Sequence, residues 1–105
     1  MRITNEFNKL YHGAFLNDLF IQMLSEHRLA MSFDKFKQEL KRINDDYPCY
    51  NGTQDKVSTR DIRSKDLIQH IEFIRLYASE YGFTLSIDDE AYRRMMELAH
   101  ALGHN

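Results

Sequence analysis

Leu67, Ile71, Ile74, Ala78 and Tyr81 recur at spacings of four, three, four and three, and Gly82 follows the last of them. That repeat is the period of an α-helix with one buried side. A glycine directly after it suits the left-handed turn that closes many helices. With Ser64 placed to cap it, the pattern predicts a helix over 64–81. A second stripe, Ile87, Ala91, Met95, Leu98, Ala99 and Leu102, stops at Gly103 and follows Ser86 and Asp89, which are spaced as in a capping box. Phe33, Phe36, Leu40 and Ile43 form the apolar side of a third helix, expected over 33–45. Ser32 caps it, and Asp46-Tyr47-Pro48 ends it, because the residue before a proline avoids the helical region.

Towards the N-terminus, Phe7, Leu10, Tyr11 and Ala14, then Leu16, Leu19, Phe20 and Met23, keep helical spacing. Gly13 lies between the two sets and weakens a continuous helix. The expectation is a short helix near 4–12 and a second near 14–26, separate or fused. Residues 48–60 are the least helical stretch. Asn51-Gly52 favours a tight turn, which lets 49–51 pair with 56–59 as a short two-stranded β-ribbon. The expected fold is therefore all-α: a single helical domain over 1–105, built as a compact bundle of four or five helices.

Composition bounds the function. A chain of 105 residues with 43% hydrophobic content and a net charge of −2 can build one core without staples. The lone Cys49 excludes an internal disulfide, and no apolar run exceeds three residues, so no membrane span and a cytoplasmic location are expected. Catalysis finds little support. No Gly-x-Ser-x-Gly elbow occurs, and Cys49 has only Asp45 and Asp46 as nearby charges, which do not favour a thiolate. The four scattered glycines cannot form a phosphate loop. Glu97 and His100 are spaced like half of a carboxylate metal site. With Ala91 at 0°, however, they fall at about 240° and about 180°, opposite the apolar stripe. His100 and His104 are split by Gly103, and His12 and His27 read as helix-end residues. His70, at the edge of its stripe, is expected to bond Asp66 or backbone. No enzymatic activity, cofactor, metal or small-molecule substrate is expected.

Two classes of function remain. Residues 28–65 carry +3 between flanks of −1 and −4. Lys35, Lys37, Lys41 and Arg42 lie on the third helix, and Lys56, Arg60, Arg63 and Lys65 lie in the loop and next helix start. Helix, Pro-containing turn, ribbon and helix is the order of parts in a winged helix-turn-helix. Over residues 32–75 that order resembles excisionase-like regulators of mobile elements. The resemblance implies a DNA-binding regulator using 32–65, with helix 33–45 at the major groove and the 50–60 loop on phosphates. Asp34, Glu39 and Asp45 share that helix face and oppose phosphate. The alternative is a protein-binding inhibitor, immunity or adaptor protein of bacterial or mobile-element origin. With Leu67 at 0°, Phe73, Leu76 and Tyr77 lie at about 240°, 180° and 280°, off the main stripe. They must meet a second internal layer or another chain. A homodimer is expected, since symmetric pairing commonly buries such a patch.

Overall fold

Side-chain caps and backbone turns fix most helix boundaries in the computed structural model, which describes residues 5–27, 31–59 and 61–102. A single α-helical turn, α1 (Asn5–Asn8), runs into a π-helical segment (Lys9–Leu16) and on into α2 (Asn17–His27). Asn8 and Asn17, at the two junctions, both keep right-handed helical backbone, so residues 5–27 form one rod. Three further helices follow: α3 (Phe33–Ile43), α4 (Ser64–Glu80) and α5 (Asp89–Leu102). The described residues thus form an all-α bundle of four rods.

Gly13 does not break the first rod but sits inside its π-helical segment. In an α-helix, residues four apart drift by about 40° per step. The slower turn of a π-helix offsets that drift and keeps Phe7, Tyr11 and Phe15 in one column, with ring centroids 5.3 and 6.4 Å apart. All three are buried, together with Leu16 and Leu19.

Ser32 caps α3 as expected, its Oγ accepting the Lys35 N–H at 3.1 Å. Ser64 does not cap α4. Arg63 occupies the cap position, and Ser64, the first helical residue, donates from Oγ to the carbonyls of Ala99 (3.1 Å) and His100 (3.2 Å). The start of α4 is thereby tied to the end of α5. Nor does Ser86 cap α5: Asp88 Oδ1 accepts the Ala91 N–H at 2.7 Å, while the Ser86 N–H goes to Asp18 Oδ2 at 2.8 Å. Helix α3 ends at Ile43, two residues before the expected end, because Asn44 leaves helical geometry with ψ 99°.

Helix α4 closes with both bonds of a Schellman turn, Phe83 N–H to Ala78 C=O (2.9 Å) and Gly82 N–H to Ser79 C=O (3.1 Å). Gly82 has φ +77°, and nothing lies within 4 Å of where its Cβ would be. Gly82→Ala should therefore cost about 1–2 kcal/mol from backbone strain alone. Denaturant unfolding checks this, and an unchanged midpoint would contradict it. Because the helix ends at Glu80, Tyr81 drops off the period and is exposed rather than part of the stripe.

Leu67, Ile71, Ile74 and Ala78 are buried, and so are Met95 and Ala99 on α5 and Phe36 and Leu40 on α3. Helix α5 lies against α4 and the π-helical segment, and α3 lies against α2. The expected ribbon shrinks to one antiparallel bridge, Cys49 with Lys56. Tyr47, Val57 and Ile62 are buried and anchor the long α3–α4 connection to the core, which leaves little chain for a second strand pair.

Candidate functional site

The eight basic residues singled out in the sequence do not form one surface. Glu39 holds both Lys35 (3.9 Å) and Arg42 (2.8 Å), and Asp34 holds Lys37 (3.3 Å). The outer face of α3 is therefore a mixed-charge face. Lys41 turns inward instead, its Nζ 5.5 Å from the centre of the Tyr47 ring, and Lys56 donates to the Tyr47 carbonyl at 3.3 Å. Arg63 and Lys65 are exposed, and neither has a carboxylate within 4 Å among the described residues. Arg60, and likewise His104, lie outside the described residues. Glu97 and His100 are exposed on α5, away from the core.

Of the three interface candidates on α4, two are partly covered. Phe73 is half-buried, its ring stacked on His70 with centroids 6.2 Å apart, and Tyr77 is half-buried beside Met23, Met31 and Ile43. Leu76 is 65% exposed, at the edge of an open groove of about 500 Å3 shared with Tyr92 and Met96. Arg75 lies over the Tyr92 ring at 4.5 Å. Tyr81, 59% exposed, lies against Tyr77 with rings tilted by 44° and centroids 4.7 Å apart. The result is one bare leucine flanked by aromatic and methionine side chains.

A buried polar hub lies beneath α3. His70 is buried as its stripe-edge position suggested, but its partner is Asn44 rather than Asp66. The Asp46 backbone N–H, which can only donate, reaches Asn44 Oδ1 at 3.1 Å. That fixes the amide orientation. Asn44 Nδ2 then donates to Gln69 Oε1 (2.9 Å) and to His70 Nδ1 (2.8 Å). An accepting Nδ1 leaves the proton of neutral His70 on Nε2. Burial, with Lys41 and Lys56 nearby, pushes the His70 pKa down to about 3.

His70 also lines a cleft of about 250 Å3 with Tyr11 and His12 of the π-helical segment, Lys37 and Lys41 of α3, and Thr59. His12 donates from Nδ1 to Asn8 Oδ1 at 2.6 Å, and burial with Lys37 and Lys41 pushes its pKa down to about 4. Burial and Lys37 lower the Lys41 pKa. Asn44 had a legible signal: with Lys35 at 0° it falls at about 180°, beside the apolar stripe of α3. Thr59 had none. Among the described residues, no three His, Cys, Asp or Glu side chains gather as a metal would require, and no helix is long and apolar enough to cross a membrane.

No family model, curated protein or solved structure matches the chain.

Proposed function

We propose that the protein is a non-enzymatic interaction module of the inhibitor, immunity or adaptor type, docking a protein partner through the outer face of α4. The observation that carries this is Leu76, 65% exposed on α4 and sharing an open groove with Tyr92 and Met96, edged by Glu72 and Arg75. Covering such a leucine is worth about 1.5–3 kcal/mol, and aromatics and Met are enriched where proteins meet. The first partner to test is a second copy, because a two-fold pairing lays Leu76 against its own counterpart.

Sedimentation velocity should show a dimer at micromolar concentration. Leu76→Glu should shift it to monomer without altering the helical far-UV spectrum, because the Leu76 side chain is mostly in solvent. A wild type that stays monomeric at millimolar concentration overturns self-docking on this face. DNA binding stands second, favoured by the exposed and carboxylate-free Arg63 and Lys65. A mobility shift on random duplex at low salt, lost when Arg63 and Lys65 are both changed to Glu, would promote it to first place.

A further inference from the structure

The cleft between the π-helical segment, α3 and Thr59 has walls rich in donors. Lys41 is half-buried yet has no carboxylate within 4 Å among the described residues. Lys37 lies one helical turn away on the same wall. His70 is 2% exposed, with its one accepting nitrogen already taken by Asn44, so the nitrogen left over is a donor. Thr59 adds a hydroxyl, which also bonds the Tyr47 side chain. Of the carboxylates among the described residues, only Asp34 reaches this cleft. Its side chain is 90% exposed, so water rather than protein solvates it, and it engages Lys37 alone.

From this arrangement we infer that the cleft binds a small tetrahedral oxyanion, the phosphate group of a phosphomonoester or free phosphate, through Lys41, Lys37, Thr59 and the Nε2–H of His70. The donors come from separate elements, as the several oxygens of a tetrahedral anion require. Lysine serves phosphate as a point charge, and two of them on one wall suit a dianion better than the single charge of a carboxylate. A cleft of about 250 Å3 lies below the usual range for drug-sized ligands, so the ligand is small. Neutral His12 keeps a lone pair on Nε2. An anion that offsets Lys37 and Lys41 draws a proton onto that nitrogen, which makes its ring a sensitive reporter.

The test is a titration of the full chain with inorganic phosphate, glycerol 3-phosphate and acetate at fixed pH and ionic strength, following the His12 and His70 ring resonances. Saturable shifts are expected with both phosphates, at least tenfold tighter than with acetate. Tighter binding of glycerol 3-phosphate identifies a phosphomonoester, and tighter binding of inorganic phosphate identifies the free ion. Lys41→Gln should weaken phosphate about tenfold or more, and Asp34→Asn should tighten it by releasing Lys37. Should Lys41→Gln fail to fold, Lys37→Gln replaces it with the same expectation. Shifts that never saturate, acetate binding as tightly as phosphate, or a lysine variant that binds like the wild type would each overturn the assignment.

Discussion

Ile71→Ala should destabilise the protein by about 2–5 kcal/mol, the usual cost of truncating a fully buried isoleucine. Ile71 is 0% exposed at the middle of α4 and belongs to the same core as Ile74, Phe15 and Met95. For a domain of this size each kcal/mol lowers the melting temperature by about 4–8 °C. A fall of at least about 8 °C by calorimetry is therefore expected. A change below half a kcal/mol would mean that α4 packs through another face.

Acid should weaken the fold well before its carboxylates titrate. His70 has a pKa of about 3 in the folded chain against 6.5 unfolded. Between those values the unfolded chain binds the proton and the folded chain does not, so stability is full above about pH 6.5 and falls with pH below it. The slope from this residue approaches about 1.4 kcal/mol per pH unit. His12, held at about 4, acts in the same direction. Glu6, bonded to Arg94, and Glu39, bonded to Arg42, are lowered from 4.5, so their contribution is lost only at more acidic pH. Denaturant midpoints measured from pH 7 to pH 5 should fall steadily. In His70→Gln, whose amide oxygen can still accept from Asn44, the slope should be markedly flatter. A wild-type midpoint that does not move over that interval would rule out a buried neutral His70.

Helix existence was legible because period and burial agree: Leu67, Ile71, Ile74 and Ala78 are the repeat, and all four are buried. Boundaries were less so, because a cap depends on which polar side chain is free. Ser64 was drawn off by carbonyls of α5, and Asp88, closer to the first helical residue, displaced Ser86. Such bonds across 35 residues leave no local trace. Continuity through Gly13 was left open because the 100° period assumes α-helical turns, whereas the segment carrying the aromatic column turns more slowly. Of the site, Leu76 was visible as an apolar residue off its stripe. Phe73 and Tyr77 also lie off the stripe, but the His70 ring on the same helix partly covers Phe73, and methionines from elsewhere in the chain partly cover Tyr77. The inward turn of Lys41 was not legible, since a lysine on a mixed-charge helix gives no hint of the Tyr47 ring above which it settles.

The rings of Tyr47, His70, Phe73, Tyr77 and Tyr81 follow one another at centroid spacings of 4.7, 6.2, 6.2 and 4.7 Å. One end of this file is sealed beneath α3 and the other stands in solvent. The chain has no tryptophan, so its intrinsic fluorescence comes from six tyrosines, three of which stand in this file. Quenching at the sealed end, when His70 gains a charge, and at the open end, when a partner covers Tyr81, reaches the detector as the same emission. An optical binding curve recorded on this protein therefore mixes two events. Tyr81→Phe silences the outer emitter while keeping its ring, and so separates them.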